Sequence, residues 1–299
     1  MQQYDIVIIG GGPAGLTAAI YALRGGAKVL LLEKLMVGGQ AGRLNEIANF
    51  PSYAEINGFD LTQKMYEQGV KLGLAVKYAE VVSLKQQEAY YIIGTSAEEF
   101  NAAAVIIATG ATHASLGIEQ AYIGRGAHYC ATCDGMFYKD KDVALVGSSK
   151  VALGEALYLS AIVKKLYFVY KGEEQKSKDF LAPLLAKPNV EIVYQSAAKS
   201  IEGKSKVESI TVENKEGEKR VLKIDGLFVS IGTTALTGFV ANTLANNNGR
   251  IIVDKGMETS LKGVFACGDC LDKKFMQIVT ACAEGAIAAD GALSYINKV

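Results

Sequence analysis

Two cysteines three positions apart, Cys130 and Cys133 in the run CATCDG, carry the most pointed chemistry in the 299-residue chain. Two intervening residues let the sulfurs meet in a small ring, and the segment that follows could begin a helix, whose N-terminus lowers a thiol's pKa. The pair suits dithiol-disulfide exchange. It could also be half of a zinc site, but the two histidines are His113 and His128 and no second pair lies at zinc-ribbon spacing, so no bound metal is expected. Cys267 and Cys270 in FACGDC repeat the spacing and could be a second redox pair; packing of small side chains is the better reading. Cys282 falls on the apolar face of the last helix and reads as core.

The other chemistry-bearing residues are Gly10, Gly12 and Gly15 in GGGPAG, followed by Glu33. Such glycines permit a tight turn, approach of the backbone to a pyrophosphate and close helix-strand packing, while Glu33 can bind ribose hydroxyls. An ADP-like group is implied, without saying which cofactor carries it.

These groups need a scaffold, and the chain supplies it twice. Tyr4 to Ile9 is a β-branched run, Pro13 to Arg24 is helix-like and Ala27 to Glu33 is apolar again, which makes one βαβ unit. A helix is expected over Phe59 to Gly73, and the apolar run Ala103 to Ala108, ending in Thr109 and Gly110, looks like a domain edge. A second strand, turn and helix begin at Asp142, with Val143 to Val146, Gly147-Ser148-Ser149, a helix through Ile162 and a strand at Leu166 to Val169. Strand-like pieces at Val190 to Val193, Val207 to Val212 and Leu227 to Ile231 follow, then Gly263-Val264-Phe265 and a last helix from about Met276.

With half its residues apolar, a chain of this length exceeds one ordinary core, and two domains are expected. Lys plus Arg equals Asp plus Glu, so nothing points to a nucleic-acid or anionic-membrane partner. The apolar stretch Tyr4 to Leu23 is broken by Gly10 to Pro13 and reads as strand, turn and helix rather than a membrane span; no basic leader precedes it, and the cytoplasm is expected.

GGGPAG, GGQ at Gly38 to Gln40, NFP at Asn49 to Pro51, ATG at Ala108 to Gly110, CATCDG, GVFACGDC and MQIVTACAEGAIAA stand in the order found in low-molecular-weight thioredoxin reductases. The chain resembles that family from end to end. The resemblance implies an α/β fold of two doubly wound Rossmann-like domains, the two-dinucleotide-binding-domain flavoprotein architecture, with an FAD domain in two parts (1–112 and 237–299) around an inserted dithiol domain (113–236). It implies FAD lined by Gly10, Gly12, Pro13, Ala14, Gly15, Glu33, Gly39, Gln40, Asn49, Thr109 and Gly110. Asp269 would hold the ribityl chain and Gln277 sit by the flavin ring, with Gly268 and Ile278 beside them in the cofactor site. Cys133 would face the flavin, Cys130 attack the disulfide of thioredoxin or a thioredoxin-like protein, and Asp134 donate or accept the proton; helix capping is the other role open to Asp134. A homodimer, with domains that rotate to present the dithiol to flavin and thioredoxin in turn, is also implied.

The chain departs from the NADPH-dependent members at two places. Where they carry GGGDSAxEEA, it has Gly147-Ser148-Ser149-Lys150-Val151-Ala152-Leu153-Gly154-Glu155-Ala156, so the middle glycine has become Ser149. Their HRRxxxR phosphate clamp is replaced by Tyr170-Lys171-Gly172-Glu173-Glu174-Gln175-Lys176, and Met276 stands in place of a basic residue. The pattern is similar to the ferredoxin-dependent flavin thioredoxin reductases, which makes ferredoxin the expected donor. The rivals are an NADPH-dependent reductase with a divergent nucleotide site and a non-catalytic flavin-binding sensor. Lys273 and Lys274 could meet an acidic partner, but a solvated lysine pair is the expectation.

Overall fold

The computed structural model describes residues 3–44, 46–88 and 90–297. The chain divides into two compact units, Met1–Thr112 with Thr234–Val299, and His113–Thr233.

The first unit opens with β1 (Gln3–Ile9), α1 (Pro13–Arg24), β2 (Val29–Glu33), α2 (Gly58–Lys71), β3 (Ala75–Tyr78), β4 (Val81–Gln87), β5 (Tyr90–Thr95) and β6 (Glu99–Ile107). The sheet order is β3-β2-β1-β6-β5-β4, parallel from β3 to β6 and antiparallel beyond. The early half of β6 pairs with β5 and its later half with the parallel strand Val264–Ala266, so this strand runs longer than its apolar run predicts. Val29 to Leu32 are buried because β2 is covered on both faces, which is why the strand reads as a continuous apolar run.

Pro13 presets φ at the first turn of α1, where a missing N–H costs nothing. Asn57 caps α2 by accepting from the Phe59 N–H at 2.8 Å. Ile6 and Ile8 point to a core shared with α1 and the last helix, Ile278–Ile296, while Val7 and Ile9 point to a second core containing Tyr91, Phe100, Val240 and Leu244. The last helix lies so close on α1 that a Cβ at Gly285 would stand 2.2 Å from the Ala14 carbonyl oxygen.

The second unit repeats the plan. Its sheet is all parallel, in the order Val190–Val193, Lys165–Val169, Asp142–Gly147, Gly226–Ser230, Ala127–His128. Helices Lys150–Ser160 and Glu174–Leu185 cover one face through Val143, Leu145 and Phe168. The other face, through Ala144, Val146 and Val229, packs on an antiparallel sheet of Ser196–Glu202, Ser209–Asn214 and Lys219–Lys223. Val207 lies before the strand expected to contain it and fills the core instead. Both units are Rossmann-like and the fold class is α/β. Among the described residues no helix is long and apolar enough to cross a membrane.

Candidate functional site

In the first unit the predicted cofactor residues gather at the C-terminal ends of β1, β2, β6 and the strand Val264–Ala266. Gly10 has φ +109°, and a Cβ there would meet the Ala108 carbonyl oxygen at 2.3 Å, so β1 turns against the end of β6, where Thr109 and Gly110 follow. Gly15 packs equally tightly: a Cβ would stand 1.9 Å from the Gly10 oxygen. A Cβ on Gly12 would meet nothing within 4 Å. This is the open position at the N-terminus of α1, which starts at Pro13 and Ala14; the first-turn N–H groups of a helix have no partner within it.

Glu33 is fixed at the end of β2. Its Oε2 accepts from the Gly11 N–H at 2.7 Å and its Oε1 from the Leu35 N–H at 2.8 Å, which leaves lone pairs on both oxygens for hydroxyl donors. Gly39 lies against Gly12, and Gln40 donates from its amide to the Ala111 carbonyl. Asn49 Nδ2 donates to Gln277 Oε1 at 3.1 Å, which brings two predicted flavin-side residues together at the start of the last helix, beside Ile278.

Gly268 and Asp269 follow the strand Val264–Ala266, and the lysine expected to be solvated is what holds them. Lys273 is largely buried, with Nζ 2.9 and 2.7 Å from the two Glu284 carboxylate oxygens and 3.4 Å from Asp269 Oδ1. Glu284 Oε2 also accepts from the Gly268 N–H at 2.9 Å. A Lys-Lys pair looks solvated from spacing alone; the carboxylate that buries Lys273 is 11 residues away, one helix end distant. Lys274 is exposed.

Cys267 and Cys270 are free and fully buried, and they point into different cores on the two sides of the sheet. Cys270 Sγ donates to the Cys267 carbonyl at 3.2 Å, and burial pushes its thiol up to about 11 and raises that of Cys267 well above the usual thiol range. These are packing thiols. Cys282, also free, is half-buried against the Pro13 carbonyl, and burial raises its thiol too.

In the second unit Cys130 and Cys133 form a disulfide, Cα to Cα 5.3 Å, across the single-turn helix Ala131–Asp134. Both are half-buried. Asp134 caps no helix: its Oδ2 lies 3.0 Å from His128 Nδ1, and the other ring nitrogen of His128 lies 2.7 Å from the Tyr138 hydroxyl. Burial, then Asp134 and Asp225, push Tyr138 up to about 12. Glu155, on the helix Lys150–Ser160, reaches the Ala131 N–H at 3.5 Å, and burial holds its carboxyl above the usual range. His128 and Tyr138 have no motif to announce them, the one signal being that His128 stands two residues before Cys130 in a chain with two histidines; Glu155 lies in the second glycine segment, where it matches a Glu of GGGDSAxEEA.

The second glycine turn is closed by side chains. Ser149 is extended and caps its helix, Oγ accepting from the Ala152 N–H at 3.1 Å. Ser148 Oγ accepts from the Lys171 N–H at 3.2 Å, which ties the turn to the next strand's end. There Glu173 is paired with Lys176 at 3.0 Å, and Tyr170 is buried among Phe168, Phe180 and Tyr194.

Residues 4–285 match the pyridine nucleotide-disulphide oxidoreductase family. Thioredoxin reductase from Treponema pallidum is 36% identical over 302 aligned positions, covering 99% of this chain and 98% of that one. The crystal structure of thioredoxin reductase from Streptococcus pyogenes aligns with a TM-score of 0.93 at 36% identity, covering 99% of each chain. A ferredoxin-flavin thioredoxin reductase from Clostridium acetobutylicum aligns at 33% identity and TM-score 0.56, covering 100% of this chain and 99% of that one. A fold of two Rossmann-like units, a cysteine pair closed as a disulfide in the second, and similarity along nearly the whole length agree: the chain belongs to the pyridine nucleotide-disulphide oxidoreductase family and, within it, to the thioredoxin reductases.

Proposed function

We propose that the chain reduces the disulfide of thioredoxin or a thioredoxin-like protein, holding FAD in its first unit and drawing electrons from reduced ferredoxin rather than from NADPH. The residues fit FAD. Thr109 Oγ1 is buried without a hydrogen-bond partner at the end of β6, and Asp269 Oδ1 is buried and accepts no hydrogen bond, Lys273 being its ion-pair neighbour. Both flank a turn whose Gly12 position is open. When bound, FAD supplies an electron pair to a disulfide and can collect that pair singly from an iron-sulfur donor.

The chain's own residues do the rest. The N-terminus of α1 and Gly12 receive the pyrophosphate, Glu33 the ribose, Asp269 and Thr109 the ribityl side, and Asn49 with Gln277 the ring. The Cys130–Cys133 bond opens with Cys133 as the sulfur that takes the electrons. Cys130 then attacks thioredoxin's disulfide, and Cys133 closes on Cys130 to release the reduced product. Asp134 exchanges the proton. A homodimer belongs to the same reading.

The donor assignment is carried by the Ser149 cap. A hydroxyl occupies the N–H that a pyrophosphate would use, and the neighbouring segment offers Glu173 and Glu174 in place of arginines. Identity to the two classes of relative is alike, so the reading is supported by the turn's chemistry. The second reading, an NADPH-dependent enzyme, is favoured by the full-length match to reductases of the general class. Anaerobic stopped flow separates them: reduced ferredoxin plus thioredoxin should sustain turnover, and millimolar NADPH should leave the flavin absorbance unchanged. Flavin bleaching by NADPH at rates supporting turnover refutes the donor assignment.

A further inference from the structure

The strand Ala127–His128 lies along Leu227 and Phe228, and this pairing fixes a histidine beside the redox disulfide. The ring stacks on Phe228 at 5.4 Å between centroids and meets Tyr138 edge-on at 5.3 Å. Its Nδ1 is 3.0 Å from Asp134 Oδ2, with both side chains about one-seventh exposed (13% and 14%), and its Nε2 is 2.7 Å from the Tyr138 hydroxyl. Proton positions follow from the partners. A nitrogen facing a carboxylate carries hydrogen, so in the neutral ring Nε2 accepts from Tyr138, which stays protonated and able to donate. Protonating Nε2 reverses only that last bond. The ring can gain or lose one proton without displacing either neighbour.

We propose that His128, braced by Tyr138, is a positioning residue that aims the Asp134 carboxyl and reloads its proton, coupling the chemistry of the Cys130–Cys133 pair to the protonation of His128. The inference rests on the reductase reading above. Reduction puts two electrons into the S–S bond, which breaks, and two protons complete the dithiol. Asp134 delivers one of them to a sulfur and solvent supplies the other; His128, protonated on both nitrogens, then gives its Nδ1 proton to Asp134, is left neutral with hydrogen on Nε2, and recovers a proton from solvent. When the dithiol reduces thioredoxin, thioredoxin's S–S bond breaks and takes the two electrons, the Cys130–Cys133 bond re-forms, and the two protons released, one of them through Asp134 and His128, balance the two that thioredoxin's sulfurs take up. The other charged or titratable groups around this path are Asp225, which faces Tyr138; Lys141, with Nζ 5.4 Å over the Tyr138 ring; and Glu155 at the Ala131 N–H.

The chain contains two histidines, so ring-labelled NMR of the flavin-loaded full-length protein, with His113→Gln to assign the signals, reads His128 directly. The expected result is a His128 titration that differs between the disulfide form and the dithiothreitol-reduced form by about half a pH unit or more, roughly threefold in proton affinity. That difference disappears in Asp134→Asn. In single-turnover oxidation of prereduced enzyme by thioredoxin, the pH profile should contain an ionisation that is lost in His128→Asn, which keeps an N–H for Asp134, and is moved but retained in Tyr138→Phe. An identical His128 titration in both redox forms, or an unchanged pH profile in His128→Asn, overturns the proposal. Failure of prereduced wild-type enzyme to reduce thioredoxin, with the NMR difference intact, overturns the reductase reading and leaves the coupling standing.

Discussion

Replacing Lys273 by Met should destabilise the first unit by about 3–5 kcal/mol, the usual effect of removing one partner of a buried ion pair. The magnitude follows from what Glu284 would be left with. Its carboxylate is 15% exposed, and once the ammonium is gone its remaining hydrogen bond is the Gly268 N–H at 2.9 Å. For a protein of 150–250 residues each kcal/mol moves Tm by roughly 2–4 °C, so the fall should be roughly 6–20 °C. The double variant Lys273→Met/Glu284→Met removes both charges. It leaves the Gly268 N–H without its acceptor, a deficit of about 1–3 kcal/mol, and the partly exposed Asp269 without its ion-pair neighbour, as the single variant also does, and should recover roughly half of the loss. The assay is thermal unfolding of the flavin-loaded protein followed by near-ultraviolet circular dichroism, with flavin fluorescence recorded in parallel because Gly268 and Asp269 are proposed cofactor residues. A fall below 2 °C in the single variant, or a double variant no better than the single, refutes the reasoning that Lys273 is a buried partner rather than a surface charge.

Cys130→Ser and Cys133→Ser should each abolish thioredoxin turnover, and only Cys133→Ser should trap thioredoxin, through Cys130, as a mixed disulfide on a non-reducing gel; a trap through Cys133 reverses the two roles. Gly12→Ser should give a folded, colourless protein, because the added side chain meets only cofactor space, whereas Gly15→Ala should fail to fold its turn, with a Cβ 1.9 Å from the Gly10 oxygen; absorbance at 450 nm and circular dichroism distinguish them. Ser149→Ala should cost about 1 kcal/mol in urea unfolding and Ser149→Gly a few tenths; NADPH should bleach the flavin of neither, since the absent arginine contacts are worth about 1.5–3 kcal/mol each. Stability should fall in base: Cys270 is raised from 9 to about 11, and Tyr91, Tyr129 and Tyr138 from 10 to about 12. Each group gives up its proton more readily unfolded than folded, so its contribution is complete below the unfolded value and lost as pH rises through the folded one. Thermal melts should decline between about pH 9 and 12, with the lower part of the decline reduced in Cys270→Ala.

What the sequence reveals well is whatever rests on local backbone chemistry. Pro13 starts α1, β-branched runs mark β1 and the strand Asp142–Gly147, and the glycine turns sit between strand and helix as their spacing requires. The cysteine pairs separate by the backbone between them: Cys267 and Cys270 stand on either side of Gly268, φ +83°, past the strand Val264–Ala266, and diverge into two cores, while Cys130 and Cys133, at one helical turn, meet. What escapes is long-range pairing of polar groups. Glu284 lies 11 residues from Lys273, and His128 reaches Asp134 and Tyr138 only because residues 127–128 form a strand too short to carry any periodic signal. A carboxylate after CATC has two local roles, cap or acid, and its contact with His128 in place of a capping hydrogen bond is a tertiary feature that the local sequence does not show.

The two glycine turns also separate the demands of folding from those of a ligand. Gly147 has to be glycine for the fold alone, since a Cβ there would stand 2.4 Å from Ala152 Cβ and 2.6 Å from the Ser230 oxygen; the same holds for Gly15 against Gly10. Gly12 and Ser149 are the N-cap positions of their helices, with nearly the same extended backbone (φ −77°, ψ −177° and φ −102°, ψ 169°). A Cβ at residue 12 would meet nothing within 4 Å, and a serine there could cap α1 as Ser149 caps its own helix, with a few tenths of a kcal/mol gained over glycine. Folding therefore favours serine at both positions. The second turn has taken it, and the first has not, so the force that keeps Gly12 must come from something outside the chain that needs the space above the helix. Bound dinucleotide supplies that force at the first turn. If the donor is ferredoxin, as proposed, no dinucleotide acts on the second turn, and that accounts for one cap being a glycine and the other a serine.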